Sequence, residues 1–339
     1  MDSLTQVVLG GTVAYSVLGN KLGRKSLLIG AVLGTLPDLD VLINFGSEIE
    51  NFVYHRSFSH SLIIQLLLSP LFAWLLLKMS WAKGVSQRRW TVAIFLILST
   101  HVLLDSFTVY GTQLLWPLLT YPFGISSIFI IDPAYTVPLL ISFIALCFVR
   151  FKPYAQHINI CALIVSSLYL SWSLLAKWHI NDKVHQALQN QNIAFTHFES
   201  TPTALNTLLW RAVAITEQGH YEIYASVFDV IENIDIDFYP TTNALLTQFE
   251  TEKPITLLQN FTKGLYGVYQ QDEKLIMSDL RMGQESYYVF SFVVAQQRNQ
   301  QWVTGGYQKL NNRLPLDKLE LIFSRITDPS VDLSAKATD

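Results

Sequence analysis

The chain has 339 residues, of which 50% are hydrophobic and only 14% charged, with a mean hydropathy of +0.30. So apolar a sequence of this length is excluded from the ordinary soluble class and reads as a membrane protein. A net charge of −3 and an isoelectric point near 6.2 give no reason to expect nucleic acid as a partner.

Apolar stretches fall near residues 4–19, 26–43, 61–78, 90–109, 135–150 and 157–177, each long enough or nearly so to cross a bilayer. They predict an α-helical integral membrane domain of about six spans over residues 1–177. The first stretch carries Gly10, Gly11 and Gly19, so a tilted, re-entrant or closely packed helix is the alternative to a full span there. It has Asp2 and no basic residue ahead of it, unlike a cleaved signal peptide. Residues 112–131 are apolar too, but Pro117, Pro122, Gly124 and the following Pro133 break a regular helix and predict an interfacial or re-entrant segment. Cys147 and Cys161 both lie in apolar stretches, where neither a disulfide framework nor a cysteine metal site is expected.

Basic residues set the expected orientation. Lys21, Arg24 and Lys25, then Lys78, Lys83, Arg88 and Arg89, then Arg150 and Lys152 occupy alternate loops, whereas loops 44–60 and 110–134 hold only Arg56. The positive-inside rule then puts both termini outside the cytoplasm, in a multi-pass protein of the inner (plasma) membrane.

Residues 178–206, with Asn, Gln, Thr and Pro202, read as a linker to an extracytoplasmic α+β domain over 207–339. Strands of an antiparallel sheet are predicted at 208–216, 221–229, 265–269, 275–278 and 287–295, and helices at 242–250, 255–263 and 316–326. Asp235, Asp237 and the Ser278–Arg281 stretch read as solvated turn and edge positions. His157, His179, His185, His197 and His220 lack a spaced partner set and read as interfacial or solvated.

The chemistry concentrates in the first half. Pro37-Asp38-Leu39-Asp40, His55-Arg56-Ser57-Phe58-Ser59-His60-Ser61 and His101-Val102-Leu103-Leu104-Asp105 put three histidines and three aspartates into an apolar region. Ionisable side chains there cost about 2.5–3.5 kcal/mol each on insertion scales. A divalent metal compensates that cost, and imidazole with carboxylate is a donor set that zinc selects. The expected topology brings all six to one face. His101 and Asp105 share a helix face one turn apart. Asp38 and Asp40, after a helix-ending proline, point to one side if extended. Asp38, Asp40, His55, His60, His101 and Asp105 are thus candidate ligands for one or two ions, zinc by donor type. Asp38 and Asp40 are also candidates to bridge metals or accept a proton, and Arg56 is a candidate clamp for an oxyanion or phosphate. The alternatives are a hydrogen-bonded His101–Asp105 pair that stabilises helix packing and carboxylates that end a helix. Asp132, before Pro133, reads equally as a substrate-facing group or a turn.

Met-Asp-Ser-Leu-Thr-Gln at the start, Gly34–Asp40 (GTLPDLD), His55–Ser61 (HRSFSHS), His101–Gly111 (HVLLDSFTVYG) and Trp116-Pro117 resemble the membrane-bound metal-dependent hydrolases of the YdjM type, bacterial inner-membrane proteins, over about the first 135 residues. The resemblance implies a hydrolase with metal ligands at His55, His60, His101 and Asp105, together with Asp38 and Asp40. More faintly, the pattern is similar to zinc-dependent phospholipase C and related nucleases, which cleave phosphoesters. Where the family often has a histidine this chain has Gln6, a poorer zinc ligand, which leaves Asp2 or the N-terminal amine as substitutes.

The expected activity is metal-dependent hydrolysis of a phosphoester in a membrane lipid or lipid-linked small molecule at the outer face of the membrane. Two readings from other classes stand beside it. A non-catalytic, metal-stabilised membrane scaffold or sensor would display the C-terminal domain, and an ion-coupled transporter would use intramembrane His and Asp.

Overall fold

The computed structural model describes residues 1–148, 152–249, 251–311 and 318–334. Arg150, counted among the basic loop residues, and Glu250 and Leu316, at the ends of two predicted helices, lie outside them. The chain divides into two compact units, Met1–Ile43 with His55–Ser173, and Asn44–Tyr54 with Leu174–Asp339.

The first unit is helical: α1 Ser3–Leu22, α2 Lys25–Thr35, α4 Leu62–Leu77, α5 Gln87–Ser106, α6 Pro133–Phe148 and the start of α7 Lys152–Asn190. These match the predicted apolar stretches in place, but they do not make six spans. Among the described residues, only α5 and the Tyr154–Asn190 part of α7 are long and apolar enough to cross a membrane, with a third crossing if the bent pair Glu48–His60 and Leu62–Leu77 is one span. The physical reason is length and polarity. α2 has 11 residues because Pro37 follows it, α4 and α6 have 16 each, and α1 is diluted by glycine, threonine and serine. Residues 112–131 form no helix, in line with their prolines, and fold as an irregular loop held by a Thr112–Phe123 bridge.

Glycine sets the spacing of α1 and α2. A Cβ on Gly30 would stand 2.1 Å from the Gly10 carbonyl oxygen, and one on Gly10 would stand 2.3 Å from that of Gly30. Small residues at such a crossing let two backbones touch, as in membrane helix pairs. α7 is tied to α1 by Asn159 Nδ2, which donates to Thr12 O at 3.0 Å and Ser16 Oγ at 2.7 Å.

In the second unit the strands are β1 His197–Pro202, β2 Leu209–Ile215, β3 Gly219–Ser226, β4 Ile236–Pro240, β5 Tyr266–Gln271, β6 Lys274–Asp279, β7 Ser291–Arg298, β8 Gln301–Thr304 and β9 Lys309–Leu310. They form two antiparallel sheets, β1-β2-β3-β4 and β5-β6-β7-β8, with β9 also on β7. Two helices, α8 Lys253–Phe261 and α9 Lys318–Arg325, accompany them. The segment expected as a linker is instead occupied by the end of α7 and by β1. Helix α3, Glu48–Tyr54, also belongs to this unit, although it lies between two site motifs in sequence.

Replacing Gly30 with valine should therefore push α1 and α2 apart and destabilise the protein by about 1–3 kcal/mol. Thermal unfolding of the detergent-solubilised chain measures this, with Gly84→Ala, where a Cβ meets nothing within 4 Å, expected to unfold like wild type.

Candidate metal centre

Four side chains meet at one end of the helical unit. Asp38 comes from the short 3₁₀ helix Pro37–Leu42 that follows α2, His60 from the turn Phe58–His60 before α4, and His101 and Asp105 from successive turns of α5. His60 Nε2 lies 3.4 Å from Asp38 Oδ1, 3.3 Å from Asp105 Oδ2 and 3.4 Å from His101 Nε2, and His101 Nε2 lies 3.5 Å from both carboxylate oxygens. Five of the six edges among these atoms are thus nearly equal. About 3.4 Å is the edge of a tetrahedron whose centre is about 2.1 Å from each corner, the bond length zinc makes to nitrogen and oxygen.

Two observations test whether the donors fit an ion. Asp38 Oδ1 and Asp105 Oδ2 are buried with no hydrogen-bond donor, although such oxygens are normally satisfied. Both imidazoles, moreover, are held with Nε2 available. His101 Nδ1 lies 2.6 Å from the Gly34 carbonyl oxygen, which can only accept, so Nδ1 carries the proton. Ser59 Oγ donates to Asp40 Oδ2 at 2.7 Å and therefore accepts from His60 Nδ1 at 2.9 Å. Fixing the far nitrogen in this way is what orients metal-bound histidines. The four can hold a metal ion. His60, His101 and Asp105 side chains are 0–1% exposed and that of Asp38 is 28% exposed, so the opening is on the Asp38 side.

The remaining predicted residues surround this cage. Asp40 and His55 pair with each other, His55 Nδ1 to Asp40 Oδ1 at 2.8 Å, and Asp40 Oδ2 also accepts the Arg56 amide at 2.8 Å. Neither is among the four convergent ligands. Arg56, buried at φ +63°, directs Nε to within 3.3 Å of Asp105 Oδ2 and lies over the Tyr110 ring. Its Nη1 has no hydrogen-bond partner among the described residues. Asp105 Oδ1 accepts from Gln6 Nε2 at 3.0 Å and from the Met1 amino group. Ser59, the Gly34 carbonyl and Gln6 as a donor are not among the predicted site groups. Only Ser59, adjacent to His60, carried a signal. Asp132 proves to be the turn: buried, it accepts from the Ala134 and Tyr135 amides and from Tyr169, and so starts α6.

Two expectations for the C-terminal unit are corrected. His220 is buried, not solvated, and so are Asp279 and Arg281. Arg281 neutralises Asp279 through contacts of 2.9 and 2.7 Å, which lets both be buried. His220, Glu222 and Glu285 form a second group of metal-type donors. There the Tyr288 hydroxyl stands at the centre, 2.9 Å from His220 Nε2, 2.6 Å from Glu222 Oε1 and 3.2 Å from Glu285 Oε2. Burial pushes the Glu222 carboxyl up, but Arg211 and the surrounding hydrogen bonds hold it down at about 2. The three donors thus converge on the Tyr288 hydroxyl, while His220 Nδ1 has no hydrogen-bond partner among the described residues.

The family model for the YdjM inner membrane protein matches residues 1–180, the stretch that contains every residue of the cage. The chain belongs to the YdjM family. No curated protein and no solved structure matches it. Membership in this inner-membrane family and the apolar helices mark it as a membrane protein, and the YdjM region ends within α7, leaving the two antiparallel sheets outside the match.

The purified chain should bind about one Zn²⁺, with His101→Ala and Asp105→Asn each weakening binding at least about tenfold. Metal quantification and competitive titration measure this, and near-zero metal in wild type and variants alike would refute the centre.

Proposed function

We propose that this protein is a membrane-bound, metal-dependent hydrolase that cleaves a phosphoester in a lipid or lipid-linked substrate. The single observation that carries the reading is the pairing of two carboxylate oxygens that accept no hydrogen bond and two oriented imidazoles with a buried guanidinium that retains an unfilled donor. A cation site and a group that prefers phosphate oxygens stand side by side there.

Asp38, His60, His101 and Asp105 would hold the ion, zinc by donor type. When bound, the ion supplies Lewis acidity and an activated water at neutral pH. The chain's own residues do the rest. Arg56 binds phosphate oxygens and offsets the charge that develops on them. Asp38, on the open side, accepts the proton of the attacking water. Asp40 and Ser59 keep the His60 proton on Nδ1, and Gly34 does the same for His101. An amphipathic substrate reaches the opening from the membrane surface.

The same geometry supports placing this site outside the cytoplasm. Met1, Asp38, His60 and Asp105 lie at one set of helix ends, whereas Lys21, Arg24, Lys25, Lys78, Arg88 and Arg89 lie at the opposite ends of α1, α2, α4 and α5. Basic residues face the cytoplasm. In this arrangement the protein is multi-pass and its C-terminal domain is extracytoplasmic.

A metal-stabilised scaffold or sensor is the second reading, favoured by the three fully enclosed ligands. A panel of phosphoesters including phospholipids separates the two. Turnover should be abolished by chelator and by His60→Ala, and reduced about 100-fold or more by Arg56→Ala, whereas bound metal with no turnover across the panel would favour the scaffold. A reporter fused after Asp339 should be active only outside the cytoplasm, and cytoplasmic signal would refute the orientation.

A further inference from the structure

The second group of metal-type donors lies wholly within the C-terminal unit and draws on both of its sheets. His220 and Glu222 are two residues apart on β3, so they point to the same face of the first sheet. Glu285 and Tyr288 come from the connection between β6 and β7 of the second sheet. His220 Nε2 is 3.8 Å from Glu222 Oε1 and 3.6 Å from Glu285 Oε2, and the three donor atoms all lie within 4.8 Å of one another. The Tyr288 hydroxyl caps this triangle.

Hydrogen bonding accounts for only part of the arrangement. The Tyr288 hydroxyl has a single proton, yet two carboxylates, which only accept, converge on it. Tyr269 adds one further donor to Glu285, at 3.1 Å. Charge is unbalanced as well. Arg211 pairs with Glu222 and donates Nη1 to the Leu280 carbonyl at 2.8 Å, whereas the ion-pair contact of Glu285 among the described residues is His220. With His220 neutral, two carboxylates face one guanidinium in a site nearly closed to water, and unpaired charge is costly there.

A cation answers both. Triangle edges of this size put its centre about 2.2–2.4 Å from each donor, within the range of bonds that divalent ions make to nitrogen and oxygen. The Tyr288 oxygen stands beside that centre as a fourth donor. We propose that His220, Glu222, Glu285 and Tyr288 form a divalent-cation site that ties the two antiparallel sheets together. Three oxygens and one imidazole suit a harder ion such as Mn²⁺ better than the donors of the helical centre do. With only one imidazole the site binds more weakly than that centre, so it fills when metal is added. Glu285, 17% exposed, is the ligand on the side from which the ion enters. Every group involved is in the C-terminal unit, so nothing here rests on the reading of the helical centre.

The metal-free, full-length chain in detergent is titrated with Mn²⁺, bound ion being read from the loss of the free-ion paramagnetic resonance signal. Glu285→Gln should lose one equivalent of the wild-type binding, its affinity at this site falling at least about tenfold, and Tyr288→Phe should weaken the same equivalent. Added Mn²⁺ should raise the thermal unfolding midpoint of wild type by more than that of Glu285→Gln. Any equivalent lost in His101→Ala belongs to the helical centre, so the two sites stand or fall separately. Binding of Mn²⁺ by folded Glu285→Gln and Tyr288→Phe exactly as by wild type overturns the proposal, as does a wild-type chain whose whole binding disappears in His101→Ala. If Glu285→Gln does not fold, Glu285→Asp, which keeps the charge and withdraws the oxygen, is read in its place with the same expected loss.

Discussion

The arrangement of the helical unit depends on one buried carboxylate. Asp105 is fully enclosed on α5, and an isolated carboxylate in such surroundings would be too unfavourable to remain charged. Its neighbours answer that constraint from separate parts of the chain. Gln6 and the Met1 amine come from the start, Arg56 and His60 from the turn before α4, and His101 from α5 itself. Around this one side chain the sequence motifs become a single object. The oxygen that faces the histidines is the one left without a hydrogen-bond donor, whereas the oxygen on the other side is occupied.

A small number of backbone contacts keeps the ligands in place. The close crossing of α1 and α2 sets the position of Gly34, whose carbonyl oxygen orients His101. On the other side Asp40, though not one of the four, collects His55, Arg56 and Ser59 and so holds the turn that presents His60. Each imidazole therefore has one nitrogen fixed by the protein and one directed to the cage, which is what a ready-made ligand set requires.

Much of this was legible in the sequence, because ionisable residues stand out in an apolar background and because the i, i+4 spacing of His101 and Asp105 is a direct statement about a helix face. The positions of the apolar helices were also readable. What hydropathy did not convey was which of them are long enough to cross, since α2 stops at Pro37 after 11 residues and α4 and α6 have 16 each. The division of labour among the six candidate ligands was not legible either, because it turns on which lone pair faces where. Asp38 and Asp40 are chemically alike and two residues apart, yet one faces the cage and the other the loop. In the C-terminal unit, His220 and the Asp279–Arg281 pair looked solvated because their partners come from distant segments or fold back locally. A strand in the expected linker and the membership of α3 in that unit are likewise matters of tertiary packing, for which local pattern carries no signal.

The left-handed backbone of Arg56 has a consequence for how this position tolerates change. Glycine adopts such a conformation without strain, and asparagine with little. Local folding energy therefore favours replacing the arginine, while the buried guanidinium is the one feature that neither replacement can supply. At residue 56 stability and chemistry pull in opposite directions, so a search for thermostable variants would be drawn toward the substitution that removes the cation from beside Asp105.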